Sequence, residues 1–182
     1  MTRLIGNSRL LVMGLVAVAA ALSLTQVAHA GPPAPEVPPE IRVDAGNKVF
    51  LVGHALGVQI YTCNGSEWSA AVPRANLYND HGKLIISHFA GPSWQAKDGS
   101  KVVGTVVDKV IVDRTAIPWV LLSAKTTPGP DGDRLVDTSF IQRLDTVGGL
   151  QPPAADCNAA TAGTVVESPY TAEYVFWKHT AS

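Results

Sequence analysis

The residues best equipped for chemistry gather between His88 and Lys101. There an imidazole, a Gly91-Pro92 turn, the Trp94 indole, the Asp98 carboxylate and the Lys101 ammonium fall within one predicted hairpin. Cross-strand partners in a hairpin stand about 5 Å apart, so His88, Trp94 and Lys101 can converge on a ligand. The competing reading is a strand histidine bonded to a neighbour, a core indole and a plain Asp98-Gly99 turn. Trp119 is a second stacking candidate. Arg143 ends an apolar strand ahead of Asp145-Thr146-Val147-Gly148-Gly149. A guanidinium placed there either grips a ligand carboxylate with two N–H groups or locks the loop through Asp145 or another carboxylate. The expected ligand-binding set is therefore His88, Trp94, Lys101, Trp119 and Arg143.

Other chemistries find less support. Asp80, His81 and His88 form only a loose cluster with no known ligand spacing, and His54 and His179 join it only through folding, so no metal is expected. No G-x-S-x-G elbow occurs, and Ser87 and His88, adjacent on a strand, point to opposite faces. Asp98, Asp113, Asp137, Asp145, Glu167 and Glu173 offer carboxylates for a glycosidase pair, but the sequence does not pair them. A phosphate cradle of the P-loop or dinucleotide type is missing, and no cofactor is expected.

The elements that must position these groups are strands. From Lys48 onward, short runs rich in Val, Ile, Tyr, Trp and Thr alternate with Gly, Pro, Asn and Asp. Strands are predicted at Lys48–Gly53, Gly57–Cys63, Glu67–Val72, Ala75–Tyr78, Lys83–Phe89, Ser93–Ala96, Ser100–Val112, Trp119–Thr126, Asp137–Leu144 and Glu173–Lys178. Asn79-Asp80-His81-Gly82, Lys97-Asp98-Gly99 and Pro128-Gly129-Pro130-Asp131-Gly132 read as turns between antiparallel neighbours. Only Asn158 to Gly163 offers a short turn of helix. The fold expected is all-β, a single antiparallel sandwich or barrel-like domain of about eight to ten strands.

The chain start reads as an export signal. Arg3 and Arg9 precede an apolar run from Leu10 to Leu24, and Ala28-His29-Ala30 is a small-x-small cleavage site. The run is shorter than the ~20 residues a membrane-spanning helix needs, and no later segment approaches that length. Residues 1–30 are thus expected to be a signal peptide, 31–39 a Pro-rich leader and 40–182 one β-rich domain, secreted or periplasmic. Without Arg3 and Arg9, 12 of the 14 basic residues face 15 acidic ones, which argues against a nucleic-acid partner. Cys63 and Cys157 are the only cysteines. In an oxidising compartment such a pair forms a disulfide, and a redox or metal role lacks the C-x-x-C spacing.

Several fragments together resemble a known family: Tyr61-Thr62-Cys63 with Trp68, His88-Phe89-Ala90-Gly91-Pro92-Ser93-Trp94, Asp98-Gly99-Ser100, Ile117-Pro118-Trp119, Gln142-Arg143-Leu144-Asp145-Thr146 with Gly148-Gly149, and Tyr170-Thr171-Ala172-Glu173-Tyr174. In this order they resemble the domain of unknown function 3455, small exported proteins of bacteria and fungi, from about Pro38 to Trp177. The resemblance implies an exported single domain in which Cys157 partners Cys63, and it supplies no catalytic residues. The expected function is a non-enzymatic exported domain that binds a small molecule or cell-surface component or plays a structural part. A hydrolase using His or carboxylate chemistry is the alternative.

Overall fold

The computed structural model describes Met1 and residues 31–180. Met1 aside, the expected signal peptide lies outside the described residues. Eight strands follow one another: β1 (Asn47–Thr62), β2 (Val72–Tyr78), β3 (Leu84–Phe89), β4 (Ser93–Ala96), β5 (Lys101–Val110), β6 (Trp119–Thr127), β7 (Thr138–Gly148) and β8 (Val165–His179). Each pairs antiparallel with the next, and β8 returns to pair with β1 from Asn47↔His179 to Thr62↔Val165, closing a barrel. Of the two expected architectures, the barrel is the one formed. Helix is confined, among the described residues, to 3₁₀ turns at Pro39–Ile41, Ala154–Asp156 and Ala159–Thr161, the last within the expected Asn158 to Gly163 segment.

The three expected turns connect β2 to β3, β4 to β5 and β6 to β7. Asn79 holds the first by accepting from the backbone N–H of His81 at 3.1 Å and Lys83 at 2.9 Å. Asp98 holds the second and ties it to the third. Its carboxylate accepts from the Ser100 hydroxyl at 2.6 Å and from the Arg134 backbone N–H at 2.8 Å. These bonds, the Ser100 hydroxyl foremost, lower the pKa of Asp98.

Three boundaries differ from expectation. The first two predicted strands are one, because Gly53 and Gly57 lie within β1, where neighbouring strands pass too close for a larger side chain. Glu67–Val72 is a loop up to its last residue. Asn64 accepts from the Ser66 and Glu67 backbone N–H groups, both at 2.9 Å, and only an isolated Cys63↔Trp68 bridge survives. β8 begins well before Glu173 and runs through Pro169. The proline is tolerated because it lies beyond the last β7 pair, Gly148↔Tyr170, where the strand has a neighbour on one side only.

Alternation along closed strands makes two apolar layers. Trp94, Ile86, Leu122, Ile141, Tyr174 and Phe176 fill the interior. On the outside, Val49, Leu121, Leu144, Val175 and Trp177 form a second cluster, and the chain ahead of β1 lays Ile41 and Val43 upon it. The Pro-rich leader thus feeds into a strap over the outer wall. Buried Gln142 fastens that strap, donating to the Ile41 carbonyl at 2.7 Å and accepting from the Trp177 indole at 2.9 Å.

Cys63 and Cys157 form a disulfide across 94 residues of chain. A loop of that size gives a chain-entropy stabilisation of about 4 to 5 kcal/mol. The double variant Cys63→Ser/Cys157→Ser should lose most of this in urea unfolding, and a loss below about 1 kcal/mol would show that strain cancels it. Ile41→Ala should cost about 2 to 4 kcal/mol in the same measurement, whereas a loose strap would leave stability unchanged.

Candidate functional site

Sequential antiparallel strands send the β1–β2, β3–β4, β5–β6 and β7–β8 connections to the same end of the barrel. The disulfide ties the first to the last, and the Trp68 indole, donating to the Pro153 carbonyl at 3.1 Å, adds a second tie. Inside this end lies a cavity of about 290 Å³. Gln59, His88, Trp94, Leu122, Arg143 and Tyr174 form its walls, and exposed Val72, Gly91 and Val106 stand at its mouth.

His88 and Trp94 face each other across β3 and β4, their rings stacked at 4.3 Å with planes 9° apart. Tyr174 meets the pair edge-on, 5.1 Å from His88 and 5.4 Å from Trp94. Room for the indole comes from Gly104, where a Cβ would lie 3.0 Å from Trp94 Cζ3 and 2.7 Å from Leu122 Cδ2. Trp94 is only 1 % exposed and Gln59 only 2 %. Neither Trp94 Nε1 nor Gln59 Nε2 has a hydrogen-bond partner among the described residues. Two residues of the cavity lining therefore each hold a buried, unsatisfied N–H donor.

Arg143 lies on the same face of β7 as inward-facing Ile141. Its Nε and Nη2 both donate to the Pro118 carbonyl, at 3.2 and 2.8 Å. The guanidinium does hold a loop, the one entering β6, but through a carbonyl. The expected lock on Asp145 or another carboxylate is corrected: among the described residues the ion pairs are His54–Asp80, His54–Glu173 and Arg74–Glu167.

Of the five residues expected to bind ligand, His88, Trp94 and Arg143 thus line one cavity. Lys101 does not converge with them. Its neighbour Val102 takes the inward position opposite Trp94, so Lys101 points outward, its ammonium 5.6 Å from the Phe89 ring. Trp119 is displaced by the same parity: Val120 lines the cavity while Trp119 packs into the outer cluster beneath the strap. Asp80 and His81 sit exposed at the β2–β3 turn while His88 is interior, so the loose metal cluster does not assemble. Among the described residues no three His, Cys, Asp or Glu side chains are grouped to hold a metal.

A family model described as Protein of unknown function (DUF3455) matches residues 44–178, which takes in all eight strands but the last residue of β8. The chain belongs to this family. Comparison with curated proteins and with solved structures found no match.

Gln59 and Tyr174 are polar wall residues that were not among the five expected to bind ligand. Gln59 shares a strand face with Gly57 and Tyr61, a signal that becomes visible only once β1 is known to be inward-facing at odd positions. Tyr174 follows Tyr170 and Ala172 on the inner face of β8 in the same way. Burial raises the pKa of both phenols, whose oxygens stand 3.3 Å apart, so they remain protonated.

His88 Nδ1 lies 2.9 Å from the Ser93 carbonyl. A carbonyl only accepts, so Nδ1 carries the proton and Nε2 of the neutral ring keeps its lone pair. Burial lowers the pKa from 6.5 to about 4, with the Ser93 bond opposing and the Arg143 charge assisting. Unfolded chain takes up the proton near 6.5 while the native ring refuses it until about 4. The contribution to stability is therefore whole above pH 6.5 and declines as pH falls to about 4, by roughly 3 kcal/mol in total. His88→Gln should flatten the dependence of urea-derived stability on pH across that window. An unaltered slope in the variant would place the titration elsewhere.

Proposed function

We propose that this chain is an exported binding protein that holds a small organic molecule in the disulfide-tied end of its barrel. The observation that carries the reading is an open cavity whose lining includes Trp94 and Gln59, each of which keeps a buried N–H donor without an acceptor. A buried donor without an acceptor costs about 1–3 kcal/mol, and the large majority of such groups are paired. A bound molecule bearing an acceptor removes that cost. An apolar cavity of about 150 Å³ accepts benzene, so the 290 Å³ here suits a molecule of about a dozen non-hydrogen atoms.

Export is supported by Arg3, Arg9, the Leu10 to Leu24 run and Ala28-His29-Ala30, together with the Cys63–Cys157 disulfide, a bond of oxidising compartments. No helix among the described residues is long and apolar enough to cross a membrane. The hydrolase reading wants a second titratable group bonded to His88. The hydrogen bond His88 makes is to the Ser93 carbonyl, and the cavity walls carry no Asp or Glu. Four of the six carboxylates considered from sequence serve elsewhere: Asp98 and Asp113 pin turns, Glu167 pairs with Arg74 and Glu173 with His54.

Ala71 is exposed and lines the mouth, so Ala71→Trp should plug the entrance without disturbing the core. Thermal-shift measurement against aromatic and aliphatic fragments of up to about 12 non-hydrogen atoms should give fragments that raise the wild-type melting temperature. The plugged variant should lose that rise. Equal shifts in both proteins, or none in the wild type, would end the proposal.

A further inference from the structure

We infer that the molecule held in this cavity is a small organic monocarboxylate with an apolar or aromatic body. The inference rests on the small-molecule reading above and adds the ligand's chemical class. Arg143 brings a positive charge into the wall of the cavity, and among the described residues no carboxylate lies within ion-pairing distance of it. Its Nε and Nη2 are engaged by the Pro118 carbonyl and its charge also acts on the Tyr174 hydroxyl, both neutral partners. The guanidinium is part-buried, and a charge partly drawn away from bulk water gains from a counter-charge.

Three N–H-bearing residues thus line one cavity, Arg143, Trp94 and Gln59, and the last two each keep a buried N–H without an acceptor. A carboxylate offers two oxygens with about four lone-pair sites, enough to satisfy all three. A single guanidinium matches a monoanion. A dianion such as a phosphate ester would keep one charge uncompensated in a wall otherwise made of Val120, Leu122 and aromatic rings. Those same apolar groups specify the remainder of the molecule, which must shed water to enter.

Phenylacetate and 2-phenylacetamide have the same shape and differ in charge, so calorimetric titration of both separates the two levels of the proposal. The wild-type protein should bind phenylacetate about 10-fold or more tightly than the amide. Arg143→Met should abolish that preference. Because Arg143 also holds Pro118, the near-isosteric Gln59→Leu provides an independent check: it should weaken phenylacetate by about 5-fold or more with an undiminished melting temperature. Equal affinity for acid and amide would overturn the anion inference while leaving a neutral ligand in the cavity. Failure of both to bind at millimolar concentration, alongside a fragment screen without shifts, would overturn the binding reading with it.

Discussion

Pairing of β8 with β1 along nearly their full lengths is the constraint from which the other features of this protein follow. Once the sheet closes, every strand must send alternate side chains into a space walled on all sides, and no edge remains to accept or donate further backbone bonds. Whatever stands at an inward position is drawn away from the outer surface. Trp94, Phe176, Ile86 and Leu122 benefit from this, whereas Gln59, His88 and Arg143 are carried inward by the same parity and must find partners there. His88 finds the Ser93 carbonyl and Arg143 finds Pro118, but the indole of Trp94 and the amide of Gln59 find nothing.

The outer wall follows the same logic with a different outcome. β6, β7 and β8 are apolar on both faces, so Leu121, Leu144, Val175 and Trp177 would lie open to water without a cover. The segment from Val37 to Val43 provides it, and Gln142, outward-facing on β7, satisfies the two polar groups that the contact buries. The contrast between Gln142 and Gln59 is instructive. Both carboxamides are buried, yet one bridges two partners and the other donates to none. Structural need accounts for the first, and the proposed bound molecule would supply the second with an acceptor.

Much of this was legible in the residues. The β texture, the three turns at Asn79–Gly82, Lys97–Gly99 and Pro128–Gly132, and the cysteine pair all follow from local chemistry, and each stands in the structure. Closure was not legible, since sandwich and barrel share the same alternating strands and only long-range pairing separates them. The site was legible in part for the same reason. His88 and Trp94 are neighbours within one hairpin, so local register brings them together, and Arg143 announces itself as a charge in an apolar strand. Lys101 and Trp119 failed to join because their positions are odd where the inward ones are even, a relation set by pairing with distant strands. Gln59 and Tyr174 were not among the residues expected to bind ligand because a lone polar residue in a strand reads as solvent-facing until its inner face is known.

The most direct measurement is a crystal structure of the protein at a resolution that shows the contents of the barrel's disulfide-tied end. The expected result is an open cavity in which Trp94 Nε1 and Gln59 Nε2 contact bound density, with Arg143 turned to the same molecule. A closed interior, with both donors bonded to oxygens of the protein itself, would contradict it.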